Sequence, residues 1–346
     1  MSDSHRSRTS LTRTSLTRAW SACTVSARTV FARTSRTRTS RLRAKLRRTV
    51  VAAAASLCLL GAVPGTAGAA TNYPVPYSFG AGIAAQLLHP GSAPVGANDF
   101  GCRPSAEHPY PVVLVHGTFG NMTDSWQSLS PLLANNGYCV FALDYGGSPG
   151  NLFQGYGDIP ASAGQLAAFV DRVLAATGAP KVDIVGHSQG GMMPRYFIRN
   201  LGGAAKVHEL VGLALSNHGT TLWGLLNLLQ AYPGGSRFLT SLCVACVQQT
   251  AGSDFMNALN AGGDTVPGVH YTVISTRYDW AVTPLESTFL HGPDATNIIV
   301  QDTCWSDFAD HLALIYDQVA LREVLNALDP ARAKRTCAVV LPVLGG

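Results

Sequence analysis

The chain has 346 residues, enough for one large domain or two ordinary ones, and a formal charge of +5. Thirteen of its 25 Lys and Arg lie in residues 1–69 against one acid, Asp3, so the remainder carries 12 bases and 19 acids, a net of −7. The folded part therefore lacks the basic surplus of a nucleic-acid-binding domain, and nucleic acid is excluded as its partner.

Residues 1–48 are rich in Arg, Thr and Ser and of low complexity, as in Arg33-Thr34-Ser35-Arg36-Thr37-Arg38. Val50 to Val63 is an apolar run of 14 residues, the size of a signal-peptide core and too short to span a bilayer. Ala67-Gly68-Ala69 is a small-residue cleavage site, with Ala70 a close alternative. Residues 1–69 read as an export signal with a long basic region, removed from a secreted protein without stable membrane insertion. Arg47-Arg48 permits a twin-arginine route as well as the general one, and translation could begin nearer the apolar run. A disordered nucleic-acid-binding arm is the weaker reading, because an apolar run and a cleavage site follow.

Six cysteines follow the leader, in addition to Cys23 and Cys58 within it. In an exported chain they imply three disulfides, for which 15 connectivities exist. Cys243-Val244-Ala245-Cys246 resembles a redox or zinc half-site, but no second CxxC and no His at zinc spacing accompany it. A local bridge is expected there, with Cys102–Cys139 and Cys304–Cys337 as the other pairs.

Residues 70–110, rich in Pro, Gly and Ala, read as an extended lead-in to a single domain over 70–346. Pro111 to Val115 is a buried-type strand ending at His116-Gly117, and Asp124 to Asn136 reads as helix. Cys139 to Leu143 is the next strand. Leu166, Phe169, Val170, Val173 and Leu174 then follow the spacing of one apolar helical face. Strand 181–185 leads into Gly186-His187-Ser188-Gln189-Gly190 and a helix over Met192 to Asn200. Glu209 to Leu215 is another strand. Residues 220–265 break the alternation and have the size of an inserted cap, with a helix around Phe255 to Leu259. Tyr271 to Ser275 and Asn297 to Val300 resume the strands, and a last helix carries Leu321, Leu325 and Leu328. The alternation predicts an α/β fold: a mostly parallel central sheet with helices on both faces.

G-x-S-x-G between a strand and a helix is the context of a nucleophile elbow. A serine hydroxyl needs an imidazole to take its proton and a carboxylate to orient that imidazole. On a parallel sheet such groups gather beyond the carboxyl ends of the strands. Asp279 follows one strand end by a few residues, and His311 follows the last strand, directly before the last helix. The order Ser188, Asp279, His311 is that of α/β-hydrolases. A single histidine is more often structural than catalytic, so position and order carry the assignment. His291 precedes the last strand beside a turn. His187 is expected to point away from the serine, and His116 to shape the loop after the first strand. Asp254, Asp264 and Asp294 follow no strand so closely. The oxyanion of an acyl-transfer intermediate needs two backbone N–H donors, for which Gln189 and Thr118, in His116-Gly117-Thr118-Phe119-Gly120, are the candidates.

Over about 100–330 the chain resembles secreted actinobacterial α/β-hydrolase lipases of the bacterial triacylglycerol lipase group. The resemblance rests on Val115-His116-Gly117, the Gly186 to Gly191 sequence GHSQGG, Tyr278-Asp279, and Asp310-His311. It implies ester hydrolysis through an acyl-enzyme, with Ser188, Asp279 and His311 as the triad. Some related lipases hold calcium, but the spacing of Asp302, Asp307 and Asp310 matches no calcium loop, and they read as solvated loop acids. No metal, cofactor or obligate partner is expected, and the protein is expected to act as a monomer.

Phe119, Leu222, Trp223 and Leu226 are the acyl-pocket candidates, although Leu222 to Leu229 would equally pack on the core. With no basic cluster to suit a polyanion, an apolar ester or lipid is the expected substrate. Three alternatives stay open: a cutinase-like polyesterase, a secreted acyltransferase using the same triad, and a non-catalytic binding protein, whose expected mark would be a broken triad.

Overall fold

Six short strands form one parallel sheet in a computed structural model that describes residues 72–222, 224–231 and 233–346. The export-signal expectation over 1–69 and the pocket candidate Trp223 lie outside the described residues. The strands are β1 (Val112–Val115), β2 (Val140–Leu143), β3 (Val182–His187), β4 (Val207–Leu213), β5 (His270–Ser275) and β6 (Ala295–Ile299). Their order across the sheet is β2-β1-β3-β4-β5-β6, every neighbouring pair parallel. β4 ends at Leu213 rather than Leu215, because Ala214 (φ 51°) leaves the extended conformation.

The helices are α1 (Phe79–Leu88), α2 (Met122–Ser125), α3 (Leu129–Asn135), α4 (Ile159–Thr177), α5 (Gln189–Asn200), α6 (Leu225–Ala231), α7 (Gly235–Leu242), α8 (Val244–Gln248), α9 (Asp254–Asn260), α10 (Val300–Thr303) and α11 (Gln318–Leu328). They cover both faces, which is why β1 and β2 are continuously apolar rather than alternating. Successive strand residues point to opposite sides. Val113, Val115, Phe141 and Ile184 pack with Leu166, Val170 and Val173 of α4 and with Met192, Met193 and Phe197 of α5. Val112, Leu114, Val140 and Val185 pack with Leu129 and Leu133 of α3 and with Val319, Leu321 and Val324 of α11.

β6 runs from Ala295 to Ile299 rather than Asn297 to Val300, because Val300 opens α10, and three helical elements also differ from expectation. The lead-in contains α1, capped by the Ser78 side chain; a Cβ at its Gly82 would overlap Tyr316 and the Asp124 carbonyl, so glycine permits that close approach. The helix expected over 124–136 is two helices. Pro131 lies in the first turn of α3, where its missing N–H costs nothing; in an unbroken helix its ring would meet the Gln127 carbonyl. The last helix starts at Gln318, after a short 3₁₀ turn at Ala313–Tyr316, rather than directly after His311.

Between β4 and β5, where the sequence breaks its alternation, lie α6, α7, α8 and α9. The three expected disulfides are formed, with Cα–Cα distances of 5.8 Å for Cys102–Cys139, 5.3 Å for Cys243–Cys246 and 5.0 Å for Cys304–Cys337.

Candidate active site

Ser188 is the single residue between β3 and α5, with φ 54° and ψ −125°. A non-glycine residue held there costs on the order of 1–3 kcal/mol, so its surroundings must impose the conformation. The flanking glycines show how. A Cβ on Gly186 would lie 2.0 Å from the Gly190 carbonyl oxygen, and one on Gly190 would lie 2.1 Å and 2.2 Å from the carbonyl oxygens of Val115 and His116. The elbow is thus pressed against the end of β1, and the Ser188 N–H is tied to the Leu213 carbonyl of β4 at 2.9 Å.

Asp279 and His311 are both buried, and Asp279 Oδ2 lies 3.0 Å from His311 Nδ1. The other carboxylate oxygen accepts the N–H groups of Ala281 and Val282, each at 2.8 Å. With its Nδ1 proton directed at Asp279, the imidazole presents Nε2 as an acceptor. The 278 and 310 loops are joined by a Tyr278–Asp310 bridge. Trp280 closes over the imidazole, ring centroids 5.9 Å apart, and its indole N–H donates to Asp310 Oδ2 at 3.2 Å.

His187 is bound to the loop that carries His311. Its Nε2 donates to the His311 carbonyl at 2.9 Å, and its ring lies 4.7 Å from that of His311. A carbonyl only accepts, so His187 carries its proton on Nε2. Burial, with the nearby His311 adding, holds the His187 pKa well below the usual histidine range. A neutral imidazole next in sequence to Ser188 therefore supports the His311 backbone.

The reading of Asp302, Asp307 and Asp310 as solvated acids holds only for Asp302, which is exposed and paired with Arg277 at 2.6 Å. Asp310 is buried, and its Oδ1 accepts the N–H groups of Leu312 and Ala313. Asp307 is buried, its Oδ1 accepts the Ala309 N–H, and burial raises its pKa and that of buried Asp317. These acids shape the loop that carries His311. Among the described residues no group of three or more His, Cys, Asp or Glu is arranged to hold a metal ion.

The loop after β1 packs on the elbow: a Cβ on Gly117 would lie 3.1 Å from Ser188 Cβ. His116 is buried in this loop, its Nδ1 2.8 Å from the Gly117 carbonyl oxygen. It stacks on Tyr145 with centroids 4.4 Å apart, and burial lowers its pKa to about 4. Phe119, at φ 64°, donates its N–H to the Gln154 carbonyl at 2.8 Å. The backbone N–H groups of Thr118 and Gln189 meet no acceptor among the described residues. Their side chains are joined, Thr118 Oγ1 donating to Gln189 Oε1 at 2.8 Å. Gln249, which follows α8, reaches both; no sequence motif marks it.

Of the pocket candidates, Phe119 is half exposed and packs edge-on against Phe153, centroids 6.4 Å apart. It lines a cavity of about 290 Å³ with Asn151, Leu152, Phe153, Tyr156 and Leu242. Leu222 (φ 45°) is partly buried and Leu226 buried, and neither lines that cavity. The apolar character of Leu152 and Phe153 is plain in the sequence, but their position in a Gly-rich connector concealed them. A larger cavity of about 730 Å³ opens at the amino ends of β4 and β5, beside His208 and His270, the edge of the sheet opposite Ser188.

Comparison with known proteins follows the same lines. The chain is 44% identical over 93 residues to a triacylglycerol lipase of Pseudarthrobacter phenanthrenivorans, a match covering 25% of this chain and 27% of that protein. It is 42% identical over 93 residues to a triacylglycerol lipase of Burkholderia plantarii, covering 25% and 24%. The matched stretch spans about a quarter of the length of these curated relatives. Among solved structures, Aspergillus fumigatus lipase B superimposes with a TM-score of 0.54 at 20% identity, covering 69% of this chain and 57% of that one. The fold is the α/β-hydrolase fold. The family model for class 2 lipases matches residues 109–322, more than half of the chain. This protein belongs to the class 2 lipase family.

Proposed function

We propose that this chain is an exported serine ester hydrolase that cleaves apolar carboxylic esters through an acyl-enzyme on Ser188. The observation that carries the reading is the buried Asp279–His311 pair, its carboxylate anchored by two backbone N–H groups, held against His187, the residue that precedes the strained elbow serine. Ser188 Oγ attacks the ester carbonyl carbon as its proton passes to His311 Nε2, and Asp279 stabilises the imidazolium. The carbonyl oxygen becomes an oxyanion facing the N–H groups of Thr118 and Gln189. Collapse breaks the carbon–oxygen bond, and His311 protonates the departing alcohol. Water then attacks the acyl-serine by the same proton route, releasing acid and free Ser188.

The cavity beside Phe119 is lined by apolar side chains, Asn151 and Tyr156, with no charged group. That favours a neutral acyl chain. Three disulfides favour an oxidising compartment, in keeping with an export signal over 1–69. The test is Ser188→Ala assayed on p-nitrophenyl esters from acetate to palmitate. Turnover is expected to fall at least 10⁴-fold with circular dichroism unchanged. Retained turnover would sink the assignment, and preference for acetate over longer chains would overturn the apolar-acyl part of it.

A further inference from the structure

The segment between β4 and β5 sends one polar side chain, Gln249, against the proposed oxyanion site. Gln249 is 6% exposed. Its Nε2 donates to Gln189 Oε1 at 2.7 Å and to Thr118 Oγ1 at 2.9 Å, and its Oε1 accepts from Ser216 Oγ at 2.8 Å. A weaker bond runs from Nε2 to the Ala245 carbonyl at 3.3 Å. With the Thr118–Gln189 bond of 2.8 Å, the three side chains close a triangle.

The polarity of this network is set from a backbone carbonyl. Tyr145 donates its hydroxyl proton to the His116 carbonyl at 2.7 Å. Its oxygen is then free to accept from Gln189 Nε2 at 3.4 Å. That turns Gln189 Oε1 toward Thr118 and Gln249, so the Gln249 amide must present its NH₂ to them and its oxygen to Ser216. A flipped Gln249 would set oxygen against oxygen. Buried networks satisfied in this way hold their members in one arrangement.

We propose that Gln249 is a positioning residue for ester hydrolysis: it fixes Thr118 against Gln189, so that their two N–H groups keep the spacing an oxyanion requires. The inference rests on the reading of Thr118 and Gln189 as the oxyanion donors. Gln249 touches neither substrate nor reacting atoms. It also ties the docking of the α6–α9 segment to the reaction, because one side chain belongs to both. The segment has other anchors: the Thr220 N–H to the Gln249 carbonyl at 2.9 Å, the Ala245 N–H to the Tyr156 carbonyl at 3.1 Å, and Gln248 Nε2 to Asp158 Oδ1 at 2.7 Å. Loss of the Gln249 side chain therefore leaves the segment docked.

The test uses the full chain with Gln249→Leu and Gln249→Glu. Ionised, as the assay at pH 8 favours, the glutamate keeps the acceptor for Ser216 but offers no donor to Gln189 or Thr118. Complete loss of one oxyanion donor costs about 10²–10³ in kcat, and misplacement of two is expected to cost about 10- to 100-fold, with KM for p-nitrophenyl butyrate within about twofold. Affinity for an alkyl trifluoromethyl ketone, which adds Ser188 and forms an oxyanion, should fall by the same factor. Affinity for the corresponding alkyl methyl amide should not change. Gln248→Ala, which breaks an anchor but reaches neither donor, should keep wild-type kcat. The proposal is overturned if folded Gln249→Glu keeps kcat and ketone affinity within about twofold, or if KM alone rises. Should Gln249→Leu fail to fold, the glutamate variant decides. If Ser188→Ala is inactive while Gln249 variants are unimpaired, only the role of Gln249 is lost; if Ser188→Ala is active, the hydrolase reading falls first.

Discussion

Asp279→Asn gives the sharpest test of the proposed triad, because the structure dictates how the new amide must sit. In the native protein Oδ1 accepts two backbone N–H groups, from Ala281 and Val282, at 2.8 Å each, and Oδ2 faces His311 Nδ1 at 3.0 Å. An asparagine must keep its carbonyl oxygen where the two N–H groups are, since an NH₂ there would oppose two donors. Its NH₂ is then forced against His311 Nδ1, which can only accept. The imidazole proton moves to Nε2, the nitrogen that should receive the Ser188 proton, and the base is switched off by tautomer alone. The expected loss is on the order of 10⁴ in kcat, about 5.5 kcal/mol of transition-state stabilisation. All three hydrogen bonds of the side chain survive in altered form, so thermal unfolding should move by only a few degrees and KM by less than about twofold. Steady-state hydrolysis of p-nitrophenyl butyrate at pH 8, with a melting curve for each protein, measures both. A loss smaller than about tenfold in a folded variant would refute the role given to Asp279.

The parts of this site that could be read in the sequence are those where one local pattern suffices. Ser188 is announced by its glycines, which the structure requires because a Cβ at Gly186 or Gly190 would enter a neighbouring carbonyl. Asp279 and His311 are candidates because each follows the carboxyl end of a strand, although β5 and β6 mix polar and apolar residues and mark those ends less sharply than β1 and β2 do. Gln249 could not be found in this way: its partners lie 60 and 131 residues away, and the second of two adjacent glutamines at a helix end carries no signal. Asp310 and Asp307 are instructive errors. A loop acid looks solvated, yet each accepts N–H groups two or three residues ahead, a local turn that shields the carboxylate within its own loop. The cavity beside Phe119 is lined by Phe119 and by Leu242 of the 220–265 segment, together with Leu152 and Phe153 from a connector after β2, which tertiary contact alone brings in. The helix over 79–88 was missed because its two glycines weaken helix propensity, and packing of Gly82 against Tyr316 overrides that preference.

Three further substitutions probe the scaffold. Gly190→Ala places a methyl 2.1 Å from the Val115 carbonyl oxygen and 2.2 Å from that of His116, both backbone atoms. It should destabilise the protein by more than about 3 kcal/mol or abolish soluble expression; Gly164→Ala, exposed on α4 with nothing near its Cβ, should instead stabilise by about 0.5–1 kcal/mol. Equal stability of the two variants in urea would contradict the packing of the elbow against β1. Glu209→Gln tests a buried carboxyl group near the amino end of β4. Glu209 is 6% exposed, accepts the Thr272 hydroxyl at 2.9 Å, and has its pKa raised by burial, with the Asp183 carboxylate adding, from 4.5 to about 7. Between these values the folded protein keeps a proton that the unfolded chain releases. The stabilisation is complete below about pH 4.5 and is lost as pH rises through about 7, so native stability falls across that window. At 1.36 kcal/mol per pH unit the loss is at most about 3 kcal/mol. A glutamine keeps an oxygen for Thr272 and never ionises, so Glu209→Gln should match the native protein near pH 4.5 and exceed it by up to that amount at pH 8. Buried His116 and His187 push stability the opposite way on acidification, but they act equally in both proteins and cancel in the difference. Urea unfolding of the pair at pH 5 and pH 8 reads that difference directly; a gap that does not widen with pH would show that Glu209 is ionised in the folded state throughout.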